Sequence, residues 1–299
     1  MHKSYIVDDD YHNARLDRWF KQKVINVPHS LIERIIRQNK IKLNKKKTKS
    51  SQRLQKGDLI EIFDISKFKA RENDKIFKYI PKKEELYKYE DYVIENNDNF
   101  IIINKPAGIP VQSGTKSFKN ITDILKKSKY FQASKPFIVH RIDKETSGIL
   151  IIAKNRKFAQ LFTTLFRIRK IHKTYLALAY GKINKSTKNM RDELTYIENK
   201  KKIIQKAITN IKIIKSNDEL SYVELNPITG RKHQLRRQLL NLGNPIIGDE
   251  KYYLKNFKKI KTKNLMLHSY KIKFMINNIQ YSFKAKYTNF FEKLLKEKF

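Results

Sequence analysis

The sequence predicts an α+β fold with a small separate unit at its N-terminal end. From about residue 92 to 299, short apolar runs of strand length outnumber the amphipathic helical patterns. No glycine-rich phosphate loop comes after any of these runs, which argues against a doubly wound nucleotide-binding sheet. Residues 13–63 carry helical patterns of their own. A charged stretch, 64–91, lacks a sustained apolar period, is interrupted by Pro81, and reads as a linker.

In the N-terminal unit, Leu16, Trp19 and Phe20 share one helical face. Pro28 and His29 break the chain, and Ser30-Leu31-Ile32-Glu33 then reads as a capping box. Leu31, Ile32, Ile35 and Ile36 form the buried stripe of that second helix, while Arg34 and Arg37 project together from another face. Asn39 closes the helix in the left-handed conformation that Asn tolerates. Lys45, Lys46 and Lys47 read as a loop, Gly57-Asp58 as a turn, and Leu59 to Phe63 as a strand. In the charged stretch, Phe68, Phe77, Tyr79, Tyr87 and Tyr89 are positioned to anchor the chain to the larger C-terminal region.

That larger region opens on Phe100 to Ile103, a buried-strand run turned by Lys105-Pro106-Ala107-Gly108. Phe137-Ile138-Val139 and Ile149 to Ala153 are further apolar strands. Phe158, Leu161, Phe162, Leu165 and Phe166 mark a helix capped by Asn155. Tyr175-Leu176-Ala177 reads as strand, and Lys232 to Leu240 as a helix beginning just after Gly230.

Charge narrows the function. The 299 residues contain 66 Lys and Arg against 29 Asp and Glu, a net charge of +37 and a pI near 10.0. A field this positive points to a polyanionic partner, nucleic acid before an anionic membrane surface. No stretch is apolar enough to span a bilayer, and no basic amphipathic helix stands out as an anchor. Cysteine is absent, which excludes disulfides, thiolate zinc sites and thiol nucleophiles. The first residues lack the apolar core of a signal peptide, so a cytoplasmic location is expected.

One carboxylate is placed for chemistry. Asp143 lies in His140-Arg141-Ile142-Asp143-Lys144-Glu145-Thr146-Ser147-Gly148, between two apolar strands, and Thr146, Ser147 and Gly148 supply turn chemistry beside it. An acid close to an arginine, in so basic a chain, suggests a carboxylate acting on a polyanion. An ion-paired Asp in a strand turn is the plainer reading. His140, His233 and His268 do not have the spacing of a usual metal-ligand set and read as structural histidines, so no metal is expected.

This run closely resembles the catalytic motif of the RluA-type large-ribosomal-subunit pseudouridine synthases. Further segments match in the same order: Asn104 to Val111, Lys173 to Ala177, Gly230-Arg231-Lys232-His233-Gln234-Leu235-Arg236, Gly243 to Asp249, and Leu267-His268-Ser269. The resemblance implies a mixed, mainly antiparallel sheet with peripheral helices over residues 92–299, and a cofactor-free isomerase of large-subunit rRNA uridines, with the RluC-like subgroup favoured. It implies Asp143 as the catalytic residue, Arg231 as its buried ionic partner and Tyr175 as the active-site tyrosine. Arg141 would fill the gap left by an extruded base, or else meet a phosphate. Asp143 would act as nucleophile, as a stabiliser of a cation-like sugar, or as a base at C2′. Residues 13–63 resemble the alpha-L RNA-binding domain of ribosomal protein S-four type, with Arg34, Arg37 and Lys45 to Lys47 as its RNA contacts. The expected partner is rRNA, with no membrane, no obligate protein partner and a monomeric state. The competing readings are a non-catalytic RNA-binding or ribosome-assembly factor and, more remotely, a nucleoside hydrolase.

Overall fold

The computed structural model describes residues 2–64, 79, 81–113, 119–132, 134–198, 201–255, 257, 260, 262 and 264–299. The chain divides into two units, Met1–Phe77 and Lys78–Phe299.

The first unit contains β1 (His2–Ile6), α1 (Leu16–Lys23), α2 (His29–Arg37), β2 (Ile41–Leu43), β3 (Lys46–Lys47) and β4 (Leu59–Phe63), with sheet order β1-β4-β2-β3. It begins before residue 13. β1 pairs antiparallel with β4, and Val7 and Tyr11 are buried with Leu16, Trp19, Phe20, Ile32, Ile35 and Ile36. As an edge strand with most side chains exposed, β1 carries no apolar alternation to read.

Two local expectations fail in this unit. The capping box does not form: Pro28 is the N-cap, so α2 starts at His29, and the Glu33 carboxylate instead accepts the Ser50 hydroxyl. The lysine run is not all loop. Asn44 and Lys45 both adopt positive φ, the type I′ pattern that closes a two-residue hairpin, and Lys46 and Lys47 form β3. Asn39, also at positive φ, ends α2: its amide donates to Ile36 and the Lys40 amide to Ile35, a Schellman arrangement.

The second unit contains α3 (Lys83–Glu90), β5 (Val93–Asn96), β6 (Phe100–Lys105), α4 (Ile121–Lys126), β7 (Phe137–Ile138), β8 (Ser147–Ala153), α5 (Arg156–Arg167), β9 (His172–Tyr180), β10 (Asn189–Glu198), β11 (Lys201–Ser216), β12 (Leu220–Pro227), α6 (Gln234–Asn241), β13 (Leu267–Ile276), β14 (Ile279–Lys284) and α7 (Asn289–Lys298). A 10-stranded sheet runs β10-β11-β12-β9-β13-β8-β6-β5, with β14 added to β13 and β7 to β8. Its pairings are antiparallel except β8–β13, which is parallel.

Strand alternation separates two cores. Ile101, Ile103, Leu150 and Ile152 face α4, whereas Phe100, Ile102, Ile149 and Ile151 face Phe162 of α5 and Phe274 of β13. The linker reading of 64–91 fails at its C-terminal end. α3 occupies Lys83–Glu90, and Tyr79, Leu86 and Tyr89 join the core cluster that contains Ile101 and Ile103, while Tyr87 is exposed. Its Lys- and Glu-rich surface hid the helix; Phe68 and Phe77 lie outside the described residues.

The parallel β8–β13 junction pairs Ser147 with His268 and Gly148 with Ser269. Gly148 has φ +106, and a Cβ there would stand 2.2 Å from the Ser269 carbonyl oxygen, so only glycine lets the strands meet. The loop bearing Asp143 leads directly into this junction.

Candidate active site

Asp143 is held by its neighbours' backbone. The Thr146 amide donates to the Asp143 carbonyl, and the Gly108 amide to the Lys144 carbonyl. Lys105, fully buried at the end of β6, reaches under the same loop. Its Nζ donates to the carbonyls of Pro106 (2.8 Å), Ile109 (2.9 Å) and Lys144 (3.1 Å). Burial pushes the Lys105 ammonium down to about 7, and the Glu145 and Asp143 carboxylates act against that shift.

The Asp143 side chain is 28% exposed, and its Oδ2 lies 3.6 Å from Nη1 of Arg236. Arg236, 5% exposed at its side chain, gives its other edge to Asp249 in a two-pronged pair of 2.7 and 2.8 Å. Burial alone would lower the Arg236 value; the Asp249 hydrogen bonds overcome it and hold the guanidinium above its usual range. Asp249 is tied further by the amides of Lys251 and Tyr252. It comes directly after Gly248, whose φ of +78 brings it so near Asn264 that a Cβ would stand 2.0 Å from that carbonyl oxygen.

Arg231 is therefore not the partner of Asp143. Its Nε donates to the Lys206 carbonyl and its amide to the Gln234 side chain. The reason is where the helix starts. α6 begins at Gln234, not Lys232, because His233 takes a left-handed conformation (φ 53, ψ 31) just ahead of it. The inward-facing arginine is thereby the one in the first turn, and Arg231 stays half-buried outside it. Asp249, a carboxylate closing the apolar Pro245-Ile246-Ile247 run, was the sequence signal that a buried arginine needed an acid.

Tyr175 comes from β9, where it pairs across to Ser269 of β13 and to Leu225 of β12. Burial pushes its phenol up to about 12; a hydrogen bond with Ser269 opposes this and the Asp143 charge adds to it. Asp143, Tyr175, Arg141, Arg231 and His233 all line one cavity of about 880 Å³. Arg141 is exposed at its wall, as are Arg167 and Arg169. Lys173 is half-buried there, its ammonium lowered by burial and by Arg169. Arg34, Arg37, Lys45, Lys46 and Lys47 belong to the N-terminal unit and are exposed on it.

The histidines divide. His140 stacks on Phe166 and accepts the Ile151 amide at Nε2, and burial drives it down to about 3. His268 is fully buried with Nδ1 against the Ser147 hydroxyl. Those two are structural. His233 faces the cavity, its Nε2 3.8 Å from Asp143 Oδ1, which the spacing of the histidines gave no means of seeing. Among the described residues, no group of three or more metal-ligating side chains converges.

Residues 99–241 match a family model described as RNA pseudouridylate synthase. The chain is 36% identical over 272 residues to the ribosomal large subunit pseudouridine synthase C of Rickettsia felis, covering 86% of this chain and 87% of that one. It is 32% identical over 287 residues to the protein of the same name from Buchnera aphidicola subsp. Schizaphis graminum, covering 90% and 88%. The solved structure of human RNA pseudouridylate synthase domain containing 4 superposes at TM-score 0.61 and 26% identity, over 71% of this chain and 94% of that one.

Stability measurements test two of these placements. Arg236→Gln leaves Asp249 buried and uncompensated and should cost about 3–5 kcal/mol in urea unfolding, whereas Arg231→Gln should stay within about 0.5 kcal/mol. Equal losses would refute the assignment of Arg236. Lys105 has a folded value near 7 against an ordinary 10.5, so between those values the unfolded chain binds more protons and stability rises with pH. Lys105→Met should remove up to about 1.4 kcal/mol per pH unit of that slope. An unchanged slope between about pH 7.5 and 9.5 would show that the lysine titrates normally.

Proposed function

Because the chain belongs to the RNA pseudouridylate synthase family, in its RluA/RluC-type branch, we propose that it isomerises uridines of large-subunit (23S) rRNA to pseudouridine. The observation that carries this is the Asp143 carboxylate set in an open cavity against a permanently charged, immobilised Arg236.

The chemistry must break the N1–C1′ bond of uridine, turn the base and rejoin it through C5. The uracil leaves with the bonding pair, so the demand falls at C1′, which becomes electron-deficient. Asp143 answers that demand, as a nucleophile forming a C1′–O bond or as a countercharge. Arg236 leaves one oxygen's direction fixed while its grip on Asp249 stops the guanidinium from moving with the substrate. Tyr175 supplies an aromatic plane, a base-stacking contact worth about 1–3 kcal/mol that leaves uracil free to turn in its own plane. With its phenol held up near 12, it stays protonated through the neutral range. Arg141, exposed at the cavity wall, takes the space of the extruded nucleotide or binds a flanking phosphate.

In the N-terminal unit, Arg34, Arg37 and Lys45 to Lys47 bind RNA phosphates in the manner of an alpha-L domain. The fixed β2–β3 hairpin turn presents the lysines, and the Schellman-closed α2 presents the arginines. Such contacts give affinity without sequence choice.

Asp143→Asn should abolish tritium release from [5-³H]uridine-labelled large-subunit rRNA while leaving RNA affinity within about twofold, since the change is nearly isosteric. Wild-type-like release from the folded variant would overturn the assignment, and absence of release from the wild type would favour the non-catalytic alternative. Replacing Arg34, Arg37 and Lys45 to Lys47 with Gln in the full chain should weaken RNA binding and flatten its salt dependence by about 0.7–0.9 in slope per lost phosphate contact. Its rate at saturating RNA should be unchanged; a fall as deep as that of Asp143→Asn would mean that these residues serve the chemical step.

A further inference from the structure

We propose that His233 is the group that moves the substrate's C5 proton, with Tyr252 as the residue that positions its ring. The inference rests on the isomerase reading above. Once C5 has bonded to C1′, it still carries its hydrogen, and the ring regains its double bond only when that proton leaves. The site must therefore contain a proton acceptor close to C1′.

Geometry leaves few groups for this. Asp143 is freed as the C5–C1′ bond forms, but a carboxylate is a weaker base than an imidazole. Tyr175 is a neutral phenol and has a proton to give, not a place to take one. His140 has spent Nε2 on the Ile151 amide, and His172 lines the same cavity but is exposed at the start of β9, away from the Asp143 loop in sequence. His233 remains, with Nε2 facing the cavity 3.8 Å from Asp143 Oδ1. C1′ sits against that carboxylate during the reaction, so a hydrogen on the atom bonded to C1′ comes within reach of the imidazole. The separation is too long for a direct hydrogen bond and leaves the Nε2 face open.

The ring is held for this use. Nδ1 lies 3.0 Å from the Tyr252 hydroxyl, and the rings meet edge to face at 5.6 Å. In the tautomer that the proposal requires, Nδ1–H donates to Tyr252 Oη and the lone pair on Nε2 points at the site. Tyr252 is anchored by its own amide to Asp249 and lies under the Arg236 guanidinium. The His233 backbone is left-handed (φ 53), a region uncommon for residues other than Gly that fixes the direction in which its side chain leaves the chain. The charged groups around the ring are Asp143 from the loop, Arg236 and Lys232 from its own segment, and Lys251 from the segment after Asp249. Burial keeps the imidazole below its usual value; Asp143 opposes this, and Arg236, Lys251 and Lys232 reinforce it, so the neutral, accepting form prevails at neutral pH.

The step balances. The pair at C5 of the uracil anion forms the C5–C1′ bond, and a C1′–O bond to Asp143, where one has formed, breaks with its pair returning to the carboxylate. Nε2 takes the C5 proton, the C–H pair restores the C5–C6 double bond, the C6–N1 π pair moves onto N1, and N1 takes a proton back from the imidazolium. No oxidant or co-reactant is consumed.

The test uses the full chain, single-turnover conversion of a large-subunit rRNA fragment, and uridine bearing hydrogen or deuterium at C5. Wild type should show an isotope effect near unity, because proton removal is fast. His233→Asn keeps a residue that tolerates the left-handed backbone but cannot carry the proton. It should slow conversion by about 10²–10⁴-fold, raise the isotope effect severalfold and leave RNA affinity unchanged. His233→Gly, unstrained at this φ, opens a hole, and added imidazole should restore conversion in proportion to its neutral form. Tyr252→Phe should show a smaller loss with the same raised isotope effect. Unchanged conversion in His233→Asn, or a loss with an isotope effect near unity and no imidazole rescue, overturns the assignment. A wild type that makes no pseudouridine would instead refute the isomerase reading.

Discussion

The geometry around Asp143 depends on one buried cation. Arg236 stands between a carboxylate sealed from solvent, Asp249, and one open to a cavity, Asp143, and only the sealed pair is made at full hydrogen-bond length. That asymmetry matters. A guanidinium shared equally between two acids would shift toward whichever was left uncompensated as charge moved during a reaction. Here Asp249 fixes Arg236, the adjacent amides of Lys251 and Tyr252 fix Asp249, and Asp143 meets a positive charge that cannot move with the substrate. A buried pair of this kind contributes little net stability; its value lies in defining one position for the charge.

Around that cation the chain accepts local cost. Gly148 and Gly248 allow backbone approaches that any side chain would block, and His233 holds a left-handed conformation without being glycine. Lys105 is buried under the Asp143 loop at the expense of its ordinary ammonium, answered by three backbone carbonyls. These positions cluster at the approach to one carboxylate, where preorganisation outweighs comfort. Asn39 and Asn44, by contrast, use positive φ only to end a helix and to turn a hairpin.

The sequence made legible those features that local pattern determines. The apolar runs on either side of residues 140–148 marked Asp143 as a carboxylate at a strand connection, and Tyr175 fell within a strand because Leu176 and Ala177 continue it. Features decided across the chain were misread. Arg231 and Arg236 are equally plausible ion partners in a linear string; Asp249, thirteen positions beyond Arg236, selects it. The Ser30–Glu33 capping signature was locally sound, yet Ser50 took the glutamate. β1 and α3 were missed because an edge strand and a highly charged helix bury too little to print an apolar period. His233 gave no signal at all, since its significance is a distance to Asp143 rather than a spacing.

The β8–β13 junction orders the folding of the chain. It joins residues 121 positions apart through the Ser147–His268 hydrogen bond, and the same stretch of β13 brings Ser269 to Tyr175. Both walls of the site therefore await the strand beginning at Leu267. Pairings of such long separation form late, after shorter loops have closed. Until that strand has docked, the Asp143 loop has no parallel neighbour to hold it. Closure of the site should thus be a late step of folding, with the β6–β8 and β9–β12 pairings in place before the Asp143 loop is fixed.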